Sequence, residues 1–275
     1  MSHIPARKRI LILSASQLCR NPRVVKEAKT LGAAGYDVTV MTVSASERFE
    51  QMDRVLMQDL PFRRLVLDYS SGAPRVRLAN FIQRSSTWGA RWLCAHAGIG
   101  LAQSLGPARA LLRLARAFAS DLVIVHTEIP IWAAQHLIRQ GRRVAVDVED
   151  WYSEDLLFAD RRSRPINLLR QAESFVLNHA AYASTTSRSM AAALAAAYGC
   201  PPPPVLRHSF GTHAARFGVN PWQLMEWMGH KRIDETMGYV HIAQRHRSIP
   251  PELVAAGMKE VDPNARILAM LSASS

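Results

Sequence analysis

Side chains able to do chemistry gather in two parts of this 275-residue sequence. In the first 200 residues they follow short aliphatic runs: Asn21 and Arg23 after residues 10–13, His126 after 123–125, and Asp150 and Glu154 after 144–148. Amide, guanidinium, imidazole and carboxylate groups at such points can grip a polar ligand. Each also suits a helix cap or a surface ion pair. In the remainder, five of the ten histidines lie between His208 and His246, in company with Arg207 and Tyr239. His208 and His213 are five apart, as are His241 and His246, a spacing that does not put two ligands on one helical face. No metal and no cofactor is expected.

The elements that must position these groups alternate between strand and helix. Residues 9–15, 36–43, 62–67, 121–125, 143–148 and 183–186 read as strands, several of them continuous aliphatic runs of the kind that is buried on both faces. Asn21-Pro22 places a capping side chain before a proline at the first helical position. Helices are expected over residues 132–139, 165–178 and 187–198, with a helical, Ala/Arg/Leu-rich region over 79–120. This rhythm predicts an α/β, doubly wound parallel sheet over residues 1–204, with 10–13, 38–40, 123–125 and 144–146 buried. Ligands of such sheets sit beyond the carboxyl ends of the strands, here residues 14–21, 42–47, 126–129 and 149–154.

After residues 199–204, Gly-Cys-Pro-Pro-Pro-Pro, the alternation stops. A small α-helical tail follows over 205–248, including a helix started by Asn220-Pro221 and stopped at Gly229. Residues 249–275 carry no motif.

Charge and cysteine content narrow the function classes. Net charge is +12, and the segment from Arg63 to Arg116 carries nine arginines against a single acid, Asp68. Such a concentration favours phosphate-bearing partners, an anionic membrane surface or nucleic acid, although it equally fits a solvated basic face. No apolar run approaches the length of a membrane span. Three cysteines without metal or redox spacing suit a reducing cytoplasm, so a cytoplasmic location is expected.

Two resemblances emerge. The stretch 206–241, LRHSFGTHAARFGVNPWQLMEWMGHKRIDETMGYVH, resembles the end of the tyrosine recombinase (phage integrase) catalytic domain. The resemblance implies that Arg207 clamps a DNA phosphate, His230 hydrogen-bonds it, and Tyr239 attacks to form a phosphotyrosyl bond. It makes DNA a partner of the tail. Pro204 stands where that family has a histidine, and an upstream arginine and lysine have no counterpart, so strand cleavage is expected to be crippled.

Residues 9–205 resemble the N-terminal half of GT-B glycosyltransferases of the family-4 type. The carriers are RILILSASQLCRNPRVVKEAKTLGAAGYDVTVMT, DLVIVH, VAVDVEDWYSE and TTSRSMAAALAAAYGCPPPPVL. This resemblance implies an acceptor-gripping domain for a lipid-linked or glycan acceptor, with Asn21, Arg23, His126, Asp150 and Glu154 on the cleft loops. Trp88 and Trp92 among arginines suggest a peripheral membrane contact, or alternatively core aromatics. Residues 204–210 satisfy both families, which predicts a composite chain that changes family there. The alternatives are an acceptor-binding remnant without transferase activity and a non-functional fusion.

Overall fold

A computed structural model of the chain describes residues 7–205, 211, 214–215, 217–228 and 232–247. These fall into two compact units, one drawn from residues 7–183 and 195–201, the other from 184–194 and the described residues from 202 onward.

The first unit is built on the predicted parallel sheet. The strands of the sheet are β1 (Arg9–Ser14), β2 (Asp37–Ser44), β3 (Arg63–Asp68), β4 (Leu122–His126), β5 (Val144–Val148) and β6 (Tyr182–Thr185), in the order β3-β2-β1-β4-β5-β6, the last two residues of β6 being counted with the second unit. Ile10 to Leu13, Val38, Val40, Val123, Val125, Val144 and Val146 are all essentially inaccessible to solvent, as strands covered by helices on both faces must be. The order reverses between β1 and β4. That reversal is where two crossovers diverge and leave a crevice.

The helices are α1 (Pro22–Ala33), α2 (Glu47–Leu56), α3 (Pro74–Ala97), α4 (Ala108–Ala117), α5 (Glu128–Arg139), α6 (Phe158–Arg161), α7 (Ile166–His179) and α8 (Arg188–Tyr198). The Asn21 carboxamide oxygen accepts from the Val24 amide at 3.2 Å, and Pro22 opens α1, as the sequence suggested.

Three features depart from expectation. The helical region over 79–120 is two helices, divided where Gly98 takes φ 66° to end α3 and Gly106 takes φ 106° before α4. An L side chain is strained at those angles, so these glycines punctuate the segment. Helix α5 begins at Glu128, one turn before residue 132. Helix α2, assigned to no element from the sequence, packs through charged residues. Asp53 is fully buried and Glu50 nearly so, and both pair with the buried Arg64 guanidinium at 2.8 and 2.9 Å. Apolar periodicity cannot reveal a helix whose inner face is ionic.

In the second unit, α9 (Pro221–Met228) and α10 (Ile233–Arg247) join Ala214, Ala215, Leu224, Met228 and Tyr239 in a small apolar cluster. A parallel bridge links Thr185 to Val205.

Candidate functional site

The register of the sheet assembles the site. Ser14 pairs with His126, and His126 with Asp147, so three polar side chains stand abreast at the carboxyl ends of β1, β4 and β5. His126 is 1% exposed. Its Nε2 lies 2.7 Å from Glu27 Oε2, and its Nδ1 lies 3.0 Å from Glu149 Oε1 and 3.7 Å from Asp147 Oδ2. Arg23 Nη1 reaches the same Asp147 oxygen at 2.9 Å, and Asn21 Nδ2 donates to Glu149 at 3.3 Å.

Burial opposes a charge on His126. The Glu27 and Asp147 charges and the hydrogen bonds to Glu149 and Glu27 outweigh it and push the pKa up to about 10. For Glu149, burial likewise favours the neutral form, but the His126 hydrogen bond and charge, with Arg23 and Asn21, hold it below the usual carboxylate range. Both partners therefore describe an imidazolium held between carboxylates. Such a group can neither accept a proton nor ligate a cation at neutral pH. His126, Asp147 and Glu149 do offer ligand atoms within 4.8 Å of one another. Binding a metal would require His126 to lose its proton and the cation to displace Arg23 from Asp147. The cluster acts instead as an ionic rivet that joins the β1–α1 loop, the end of β4 and the end of β5.

Of the sequence candidates, Asn21, Arg23 and His126 come together here. Asp150 is exposed, and its charge acts on Tyr152 and Asp155. Glu154 forms ion pairs with Arg161 at 3.0 Å and Arg170 at 2.6 Å, away from the rivet. Glu27, Asp147 and Glu149 were not singled out. The Asp-x-Glu alternation ending β5 placed both acids on one face of the strand, and Glu27 lies one helical turn beyond Arg23. Of the tail candidates, Arg207 and His230 lie outside the described residues. Tyr239 is 7% exposed within the apolar cluster, its ring packed against the Gly211 backbone.

Next to the rivet, Thr127 follows β4 with φ 67° and ψ 168°, a conformation that costs a non-glycine residue about 1–3 kcal/mol. Its hydroxyl accepts from the Ala15 amide at 3.3 Å, across the switch point. The strain turns the chain into a cavity of about 460 Å³ lined by Arg91, Thr127, Glu128, Tyr152, Asp155 and Arg164, among others. Arg164 pairs with Glu128, while burial and the nearby Arg91 charge push its pKa below the usual guanidinium range. Two polar atoms on these residues, the Tyr152 hydroxyl and Arg164 Nε, are buried away from solvent.

The loop that carries Tyr152 is pinned from behind. Tyr198 donates to Glu173 at 2.6 Å, accepts from Trp151 Nε1 at 2.9 Å, and Glu173 also accepts from the Ser153 amide at 3.1 Å. Burial raises the Glu173 pKa, and burial with that hydrogen bond lifts Tyr198 to about 12. A larger cavity of about 940 Å³ lies at the opposite, amino ends of β1, β2 and β3. There Arg63 pairs with Asp37 at 2.7 Å and the Arg9 amide donates to Asp121 at 2.6 Å. The strand polarity favours the smaller cavity as the ligand site.

Comparison with solved structures finds distant likenesses. UGT73P12 of Glycyrrhiza uralensis, crystallised with glycyrrhetinic acid 3-O-monoglucuronide, is 12% identical with a TM-score of 0.41, over 71% of this chain and 48% of its own. UGT89C1 of Arabidopsis thaliana, crystallised with UDP-L-rhamnose, is 12% identical with a TM-score of 0.38, over 67% and 46%. The chain thus spans about half the length of these structures, and at such scores they add no argument of their own. No curated protein matches the sequence. Neither these likenesses nor the family match supports the recombinase resemblance of the tail. The model of the glycosyl transferase 4-like domain matches residues 21–211, well over half the sequence, and the chain therefore belongs to that family.

Proposed function

We propose that the sheet unit is the acceptor-binding half of a glycosyltransferase, and that the acceptor occupies the cavity beyond β4 and β5. The observation that carries this reading is the place of that cavity, beyond the carboxyl ends of β4 and β5, with Arg91, Thr127, Tyr152 and Arg164 in its lining. A sugar or a phosphate-linked glycan offers hydroxyl and anionic oxygens that the guanidinium and hydroxyl groups of these lining residues can bond. Arg91 and Arg164 favour an acceptor with negative charge. His126, held protonated, is a positioning group that keeps the cavity rim in place and not a base for the acceptor hydroxyl.

Sugar-nucleotide binding and transfer are the work of the second half that the family resemblance implies.

The test is calorimetric titration of soluble glycans and of short-chain prenyl-phosphate sugars against wild type and Arg91→Gln. Acceptor binding that weakens about tenfold in the variant, the worth of one hydrogen bond in a dry site, with unfolding unchanged, supports the assignment. Failure of every acceptor to bind, or equal binding by the variant, overturns it.

A further inference from the structure

Helix α3 is inverted for a helix in water. At about 100° per residue, Val76, Asn80, Gln83, Thr87, Ala90 and Cys94 form one face, and that face meets the protein. Asn80 Nδ2 donates to Tyr69 O at 2.8 Å, Cys94 Sγ donates to Arg164 O at 3.1 Å, and Ala90 is buried. The inner seam is therefore small and largely polar. Leu78, Phe81, Ile82, Trp88 and Trp92 lie on the opposite side, and their exposures are 60, 69, 58, 72 and 50%. A surface helix of a water-soluble domain buries its apolar stripe and shows its polar one. Five large apolar side chains in one exposed stripe mark a contact surface.

The charges say what covers it. The 24 residues of α3 contain four arginines and no acidic residue. Arg77, Arg84 and Arg91 recur every seven residues along the border between the packed seam and the apolar stripe, on the same side of the helix. An apolar face rich in tryptophan with a cationic flank is the composition of a helix that lies in a lipid–water interface. No helix among the described residues is long and apolar enough to cross a membrane, so α3 would lie on the bilayer and not span it. A second copy of the chain is a poor occupant, because two-fold docking would oppose two arginine rows with no acid to neutralise them.

We infer that α3 docks this protein on an anionic phospholipid surface through Leu78, Phe81, Ile82, Trp88 and Trp92, with Arg77 and Arg84 on the headgroups. The inference stands on α3 alone and does not require the acceptor assignment. The two meet at Arg91, which lines the cavity from this helix and donates through Nε to Ser104 O at 3.0 Å.

The test is flotation of the full chain with vesicles of phosphatidylcholine alone or with phosphatidylglycerol as the minor component, together with tryptophan emission. Binding to the anionic vesicles with a blue shift, weakened by salt, is expected. Trp88→Ser with Trp92→Ser should weaken binding at least tenfold. Arg77→Gln with Arg84→Gln should weaken it about 25-fold, at about fivefold per arginine near an anionic surface. All four side chains are exposed, so circular dichroism and melting should not change. Absence of binding to anionic vesicles, or binding that these variants leave intact, overturns the inference. So does a sedimentation-detected dimer that the tryptophan variant dissociates.

Discussion

Replacing His126 with alanine tests whether the rivet holds the sheet's carboxyl edge together. The substitution removes a buried imidazolium that lies 2.7 Å from Glu27, 3.0 Å from Glu149 and 3.7 Å from Asp147. Glu149 and Asp147 then lose the cation between them near the switch point. Removing one partner of a buried ion pair typically costs about 3–5 kcal/mol. The rise of the His126 pKa from 6.5 to about 10 is of the same order, at about 1.4 kcal/mol per unit. At about 2–4 °C per kcal/mol for a domain of this size, the melting temperature should fall by roughly 6–20 °C. The pH dependence supplies a second readout. A pKa raised on folding contributes stability that is complete below 6.5 and is lost as pH rises toward 10. The lowered Glu149 pKa contributes stability that is complete above 4.5 and is lost as pH falls through its folded value. Wild type should therefore show a plateau between these limits and an alkaline decline, and His126→Ala should lack the decline. Urea unfolding followed by circular dichroism across that pH range measures both. A loss under about 1 kcal/mol, or an alkaline decline that persists in the variant, would refute the ionic rivet.

Two further outcomes are expected. Thr127→Gly relieves a φ of 67° and should leave stability unchanged or raise it by about 1 kcal/mol despite glycine's entropy, while acceptor affinity falls. A destabilised Thr127→Gly protein would mean that the Thr127 hydroxyl, not the strained backbone, holds the loop. Tyr239, 7% exposed in the apolar cluster, should form no covalent adduct with a nicked suicide DNA substrate. An adduct on a denaturing gel, abolished in Tyr239→Phe, would restore the recombinase reading of the tail.

Much of the sheet was legible without coordinates. Aliphatic runs such as residues 10–13 and 123–125 can only be strands buried on both faces, because no amphipathic helix concentrates apolar residues so continuously in so short a span. Asn21-Pro22 marked the start of α1 because an orphan amide needs an acceptor there and proline has none to orphan. Local chemistry of this kind is written in neighbouring residues. The rivet was only half legible. Asn21, Arg23 and His126 could be placed on loops at the strand ends, but of the acids equally plausible by type Asp150 is exposed and Glu154 pairs with Arg161 and Arg170. Which acid of Asp147, Glu149 and Asp150 meets His126 depends on the register of β4 against β5, a long-range quantity to which no short window has access. Helix α2 was missed for a related reason, since its inner face is satisfied by Arg64 from another strand, and periodicity counts only apolar residues. The outward turn of α3 is likewise a tertiary fact. Trp88 and Trp92 could equally have been core, and only the packing of Asn80, Ala90 and Cys94 against the body left them facing out.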